Sequence, residues 1–175
     1  MMKWILVLFG VLVAAVAIAY TVGTRLPQDH LAAARARFAV PPDSVYAAIT
    51  DVDAYPKWRK DVKSVSRLPA QNGHTAWRET AGSGVLDYEA TVAIRPNRVV
   101  NTITTKGAGF AGRWIFQILP DSLGSTLTIT EEGTVQQPLF RFLQRYVFGT
   151  HAAMEAFLHS LGGRFGENVT VTVLS

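Results

Sequence analysis

Cysteine is absent from the 175-residue sequence, which excludes disulfide bonds and metal sites built from thiolates. Charge of one sign is also scarce, because the formal net charge is only +4. Without Lys3 and Arg25, 15 basic and 13 acidic residues remain. A surplus this small does not indicate a nucleic-acid partner, and we expect none.

Catalytic motifs with a recognisable spacing are missing as well. The sequence has neither H-E-x-x-H nor G-x-S-x-G, and no Ser-His-Asp arrangement can be identified from spacing. We therefore expect no metal and no cofactor. Whether any reaction is catalysed stays open, although the pattern favours binding over catalysis.

The sequence also contains one glycine-rich motif. Gly107, Gly109 and Gly112 have the spacing G-x-G-x-x-G, which binds dinucleotides where it joins a strand to a helix. Here the stretch before it, "RVVNTITT", and the stretch after it, "RWIFQILP", both have the composition and alternation of strands. The glycines therefore predict a hairpin loop, and we expect no dinucleotide partner.

The N-terminal region holds a long uncharged run, Trp4 to Val22, behind a single Lys3. As a helix it would measure about 28 Å, close to the apolar thickness of a bilayer. A cleaved signal peptide is the alternative, with Ala17-Ile18-Ala19 as its cleavage site. The run extends beyond that site, so we favour a retained single-pass anchor. Basic residues on both sides leave the orientation open, and the short N-terminal tail favours an extracytoplasmic domain.

We divide the chain into an anchor at 1–25, a linker at 26–30, one domain at 31–167 and a tail at 168–175. The domain begins with a strand over Leu31 to Val40 and two short helices. Six further strands are predicted from Val62 to Leu68, Thr75 to Thr80, Leu86 to Ile94, Arg98 to Thr105, Arg113 to Leu119 and Ser125 to Val135.

A long amphipathic helix is predicted over Pro138 to Phe165, because apolar residues recur there at helical spacing. Gly149 is the position at which we expect any break.

The stretches "FAVPPDSVYAAITDVDAYPKWRKDV" and "TITEEGTVQQPLFRF", in this order of elements, resemble the START-like, birch-pollen-allergen-like superfamily. This superfamily is also labelled SRPBCC or polyketide cyclase/dehydrase. The resemblance covers roughly residues 30–167 and implies an α+β helix-grip fold. In that fold a curved, seven-stranded antiparallel sheet wraps around the C-terminal helix and leaves an apolar cavity. Members range from lipid and hormone carriers to cyclases, so the fold does not decide the activity.

Alternation along the strands supports a cavity independently. In the Leu86 to Ile94 strand it places Tyr88, Ala90, Val92 and Ile94 on one face. We expect the cavity to be lined by Trp58, Trp77, Tyr88, Val92, Phe110, Trp114, Phe116, Ile129, Glu131 and Phe157.

Two carboxylates, Glu79 and Glu131, share the inward parity. A buried carboxylate is costly unless it is paired or protonated, and Arg113 is a possible partner for Glu131. If the protein is an enzyme, Glu131, Tyr88 and His151 are the acid/base candidates. His151 and His159, eight residues apart on the predicted last helix, could also border the cavity mouth, but histidines at such positions are more often surface or core residues.

A basic cluster follows the second short helix: Lys57, Arg59, Lys60, Lys63 and Arg67. It predicts either a solvated face or a patch for anionic lipid headgroups.

We interpret the chain as a membrane-anchored binding or carrier domain for a hydrophobic small molecule or lipid. A small cyclase or dehydratase and a protein-interaction module are the alternatives. An interaction module should have a closed and filled core.

Overall fold

The computed structural model describes residues 2–82 and 84–174. The helices are α1 Met2–Thr24, α2 Pro42–Thr50, α3 Tyr55–Trp58, α4 Pro138–Leu143 and α5 Ala152–Arg164, with a 3₁₀ turn at Val52–Ala54 and a π-helical turn at Gln144–Phe148. The strands are β1 Asp29–Phe38, β2 Val62–Gln71, β3 His74–Ala81, β4 Gly84–Ile94, β5 Arg98–Ile103, β6 Phe110–Asp121, β7 Gly124–Val135 and β8 Thr172–Leu174.

The strands of the described residues form one antiparallel sheet with the order β2-β3-β4-β5-β6-β7-β1-β8. The sheet has eight strands rather than the seven expected, because residues 172–174 of the predicted tail pair with β1. Sequence neighbours from β2 to β7 are also neighbours in space, as consecutive hairpins require. The predicted α+β helix-grip architecture is confirmed.

The core lies between one face of the sheet and α5. Alternate residues of β1 face it, from Ala32 to Phe38, and are almost fully buried. From α5, Met154, Leu158 and Leu161 have no exposed surface and pack against them. The alternation in β1 is the sheet's period of two, with arginines at the outward positions 35 and 37. This strand begins at Asp29, so it includes the last two residues of the predicted linker.

The glycine motif joins two strands, β5 and β6, as predicted. Gly107 and Gly109 have φ angles of +73° and +77°, which residues with a Cβ rarely adopt. Gly112 lies within β6, where a Cβ would press against the carbonyl oxygen of Glu132 on β7. The motif therefore serves a turn and a close strand approach.

The predicted C-terminal helix is interrupted at Gly149, which has a φ angle of +82°. Of the predicted 138–165 helix, α5 is the part that contributes to the hydrophobic core, through Met154, Phe157, Leu158 and Leu161. The preceding α4 packs against the end of α1 instead.

Helix α1 has 23 residues and a mean hydropathy of 2.7 over its most apolar window, so it is long and apolar enough to cross a membrane. Nearly all of its surface is exposed, and the buried positions are Ala19 and Gly23 near its C-terminal end. A Cβ at Gly23 would overlap the carbonyl oxygen of Pro138. Glycine at this position thus allows α1 and α4 to touch.

Candidate functional site

A cavity of about 640 Å³ lies between the sheet and α5. This volume lies within the range of small-molecule sites, and the wall is mostly apolar. Its aromatic lining includes Trp77, Tyr88, Phe110, Trp114, Phe116 and Phe157.

The aromatic wall is held by contacts between neighbouring rings. Trp77 and Tyr88 are directly opposite on β3 and β4, and their rings stack with centroids 5.5 Å apart. The ring of Phe157 on α5 meets the Trp114 ring edge-on, with centroids 5.8 Å apart. It also contacts the Phe116 ring in a tilted arrangement, with centroids 5.4 Å apart. Each such pair contributes about 0.5–1.5 kcal/mol beyond the burial of its area. These contacts fix the positions of rings that line the cavity.

The six aromatic residues named above and Glu131 were all expected at the cavity from the sequence, and the structure places them there. Trp58, Val92 and Ile129 do not line it. Ile129 faces inward but is fully buried in the core beside Phe116. Trp58 packs edge-on behind Phe157 at 5.4 Å, and its indole Nε1 is buried without a hydrogen-bond partner among the described residues.

Val92 lies on the opposite face because β4 contains a bulge. Ala90 pairs with Asn101, whereas Val92 pairs with Val100, so one residue of β4 is unmatched. An extra residue reverses the alternation that follows it. The sequence prediction assumed an unbroken alternation from Tyr88 to Ile94, and Ile94 is in fact 57% exposed.

A polar cluster occupies the end of the cavity near α4. His30 Nε2 lies 3.3 Å from Glu131 Oε1 and 3.2 Å from Gln144 Nε2. The imidazole lies over Gly133, where a Cβ would overlap the ring. Arg113, the partner expected for Glu131, instead pairs with Glu132 on the outer face at 2.6 Å. Glu131 is thus a cavity residue whose neighbour is a histidine.

Sequence reasoning missed His30 because it lay in the predicted linker. The parity of β1 could have identified it, since His30 continues the inward series of Ala36, Ala34 and Ala32. His151, the histidine proposed from the sequence, does not line the cavity. It precedes α5, and its Nδ1 contacts Thr150 Oγ1 at 3.2 Å. His159 is exposed.

A buried ion pair borders the other side of the cavity. Arg59 Nη1 lies 3.1 Å from Glu79 Oε2, and these side chains are 13% and 5% exposed. The indole Nε1 of Trp77 donates to Glu79 Oε1 at 3.0 Å. The Arg59 guanidinium also lies 4.9 Å from the centre of the Tyr55 ring. Sequence reasoning had placed Arg59 in an exposed basic cluster, whereas the structure turns it inward.

Electrostatics fix the protonation of this wall. Burial alone would lower the pKa of Arg59, but Glu79 and Asp61 outweigh it and raise that pKa. Burial, aided by Glu79, raises the pKa of the Tyr88 phenol well above its usual value. Arg59 is therefore a cation and Tyr88 a neutral hydrogen-bond donor at neutral pH.

Asn101 adds one more polar group to the wall, opposite Trp114 in the β5–β6 register. It is 8% exposed, and its Oδ1 has no hydrogen-bond partner among the described residues. A buried amide group left unpaired costs about 1–3 kcal/mol. Within residues 2–82 and 84–174, no group of three or more His, Asp or Glu side chains forms a possible metal site.

A second and more open groove of about 450 Å³ adjoins the outer ends of β5, β6 and β7. Two of its charged residues, Arg113 and Glu132, pair with each other at an exposed position. No Phe, Tyr or Trp lines it. The inner cavity is the stronger candidate, because it combines aromatic walls with enclosed polar groups.

Several solved structures share this fold. A START superfamily protein from Mycobacterium smegmatis is 18% identical, with a TM-score of 0.61, and the match covers 78% of this chain and 95% of that one. A conserved protein from Geobacillus kaustophilus is 13% identical, with a TM-score of 0.66 over 81% of this chain and 99% of that one. The di-domain ARO/CYC StfQ of the steffimycin biosynthetic pathway is 13% identical, with a TM-score of 0.59 over 79% of this chain and 52% of that one.

No curated protein matches the chain. The model of one protein family, described as polyketide cyclase / dehydrase and lipid transport, does match it over residues 38–154. That span exceeds half of the chain and runs from the end of β1 into α5. The chain therefore belongs to the polyketide cyclase/dehydrase and lipid transport family.

Proposed function

We propose that the protein is a membrane-anchored binding or carrier domain for a hydrophobic small molecule or lipid. The observation that carries this proposal is the cavity of about 640 Å³ with its aromatic wall. Removing apolar ligand surface from water stabilises a complex by about 25 cal/mol per Å². Burial of apolar surface is therefore sufficient to hold a ligand in this cavity, and no catalysed reaction is required.

The polar groups of the cavity support a ligand with one hydrogen-bonding group on an apolar body. Glu131 and His30 are 22% and 18% exposed at the side chain, so both remain accessible from the cavity. Asn101 offers an amide that a ligand could satisfy. An entirely apolar ligand would leave the Oδ1 of Asn101 without a partner, which costs free energy.

We also propose that α1 is retained as a single-pass anchor with the domain outside the cytoplasm. Its length and exposed apolar surface support the anchor. Its last turn packs against α4, so removal of the helix would expose a contact surface of the folded domain. The side of the membrane rests on the short N-terminal tail alone.

Binding is tested by titrating the full-length protein in detergent with a dansyl-labelled fatty acid and recording energy transfer from tryptophan. Binding should saturate. Trp114→Ala should weaken the affinity read from dansyl emission, because Trp114 lines the cavity. Thr128→Ala should leave it unchanged, since Thr128 neighbours the inward Leu127 and Ile129 and faces outward. Absence of any saturable binding by this or other apolar probes would refute the carrier proposal.

A small acid/base enzyme is the second candidate, favoured by the pairing of Glu131 with His30 in a cavity that also contains Tyr88. A carboxylate–imidazole pair and a neutral phenol could move protons on a carbonyl-containing ligand. Glu131→Gln distinguishes the two functions. An enzyme would lose turnover while still binding, whereas a carrier would change only in affinity.

The interaction-module alternative has less support, because it requires a filled core and the sheet encloses an open cavity. Dinucleotide binding likewise has no support from the β5–β6 turn, which no helix follows.

A further inference from the structure

The mouth of the cavity is rimmed by apolar side chains. Phe140 and Phe148 line the cavity and are nevertheless 53% and 65% exposed, so they lie where it opens. Tyr146 and Val147, next to Phe148, are 59% and 60% exposed. These four large apolar side chains lie on one short segment, residues 140–148. An exposed apolar patch of this kind marks an interaction surface.

Arg141 fixes this segment to the end of α1. The residue is 7% exposed, and its Nε donates to the carbonyl oxygen of Gly23 at 2.9 Å. Its Nη1 donates to the carbonyl oxygen of Val135 at 3.2 Å. A cation at the C-terminal end of a helix is favoured by the helix dipole. Side chain and backbone thus connect α1, α4 and the end of β7.

The contact between Arg141 and the end of α1 determines how deep the segment 140–148 would lie in a bilayer that α1 spans. Helix α1 is about 34 Å long, slightly more than the apolar core of a bilayer. Ala19 and Gly23 lie one turn apart on its buried face, so α4 packs beside the last turn. Aromatic side chains are favoured at this level of a membrane, and the exposed Arg25 and Arg145 suit anionic headgroups.

We propose that Phe140, Tyr146, Val147 and Phe148 insert into the interface of the same bilayer that holds α1, so that the cavity opens onto the lipid phase. The ligand then enters from that membrane and does not have to cross water. This inference rests on the proposed anchor and carrier function, and it adds the route of entry.

The turn between β6 and β7, at the end of the sheet opposite the cavity mouth, provides a matched control for membrane insertion. Leu123 is 72% exposed in the turn between β6 and β7. Both strands have 12 residues, so this turn lies about 36 Å from the end of β7 that leads into α4. A surface apolar residue there should remain in water.

The position of the mouth is tested with full-length protein in phosphatidylcholine vesicles. Val147→Trp and Leu123→Trp each add one indole at an exposed apolar position, and neither residue lines the cavity. Trp4 of α1 should be quenched in every variant, so the wild type gives the baseline. Relative to that baseline, brominated phosphatidylcholine should quench the indole added at position 147 and spare the one at 123. Equal quenching of both, or none at 147, would overturn the proposal.

The route is tested by the rate at which a dansyl-labelled fatty acid moves from vesicles into the protein. Tyr146→Asp/Val147→Asp should slow uptake several-fold and leave the equilibrium affinity in detergent unchanged. Leu123→Asp should alter neither quantity. Unchanged uptake in the double variant would overturn the inference even if the probe binds. If the wild type binds no apolar probe, the carrier function fails, and with it the proposed route.

Discussion

Arg59 shows how a residue with surface character becomes part of an interior. Its sequence neighbours Lys57 and Lys60 are exposed, but Arg59 reaches the buried carboxylate of Glu79. The sequence around the end of a short helix does not reveal which charged residue turns inward, because that depends on β3 placing Glu79 nearby. His30 was missed for a different reason, since the predicted strand began at Leu31, one residue after His30, although the alternation of β1 extends to it.

The buried pair gives a prediction about stability. Among the described residues, Arg59→Met leaves the buried Glu79 with the Trp77 indole as its one hydrogen-bond partner, and it should lower the free energy of unfolding by about 3–5 kcal/mol. Arg59→Met/Glu79→Leu removes both charges and should recover much of that loss. Urea unfolding of both variants measures the difference.

The exposed pair of Arg67 and Asp53 is the control, because its side chains are 45% and 58% exposed. Arg67→Met should leave the free energy of unfolding nearly unchanged. If Arg67→Met lowered the free energy of unfolding as much as Arg59→Met does, burial would not explain the effect at Arg59, and the assignment of Arg59 to a buried pair would be contradicted.

Tyr88 gives a prediction about pH. Burial raises its pKa above the ordinary value of about 10, so the unfolded chain releases this proton first as the pH rises. The stabilising contribution is complete below pH 10 and is lost progressively above it, at up to about 1.4 kcal/mol per pH unit. Tyr88→Phe should flatten the decline of the unfolding free energy above pH 10. An identical slope in wild type and variant would show that Tyr88 is not shielded from solvent.

Among the elements, β3, β6 and β7 follow the alternation that the sequence predicts, and β4 does not. Trp77 and Glu79 of β3 face inward, as do Trp114 and Phe116 of β6. The bulge in β4 has no glycine or proline to signal it, because it arises from the register with β5. The alternation of residues in the sequence therefore predicts which face of the sheet each side chain occupies, up to the point where a bulge adds an unpaired residue to the strand.

The contact between α1 and α4 could not be predicted from the sequence either. It joins residues more than 100 positions apart and depends on the absence of a side chain at Gly23. The helix break at Gly149 was predictable, because glycine in a helical pattern is a local signal.

This contact can be tested with a pair of glycines in one helix. Gly23→Val should separate α1 from α4, because its side chain would overlap the Pro138 carbonyl oxygen. Gly10→Val is the control, since no atom lies within 4 Å of a Cβ at that position. In detergent, trypsin should cleave after Arg141 faster in Gly23→Val than in the wild type, and Gly10→Val should match the wild type. Equal protection of Arg141 in all three proteins would mean that the two helices do not pack.

At the scale of the whole molecule, the contact between α1 and α4 joins the N-terminal helix to the domain that contains the cavity. Full-length protein should stay with membranes after a carbonate wash, because α1 carries an exposed apolar surface along nearly all of its length. Mass spectrometry of the intact protein should find the N-terminal segment present. A mature N-terminus at Tyr20 would identify the segment as a signal peptide.

The central claim is that the cavity holds an apolar ligand, and native mass spectrometry of the full-length protein as purified tests it most directly. The wild type should carry one apolar molecule for each chain. Leu86→Trp should lose it, because Leu86 lines the cavity, whereas Val85→Trp should retain it, because Val85 is the neighbouring, 51% exposed residue of β4. A wild type that neither retains nor takes up an apolar molecule, or equal occupancy in both variants, would contradict the account.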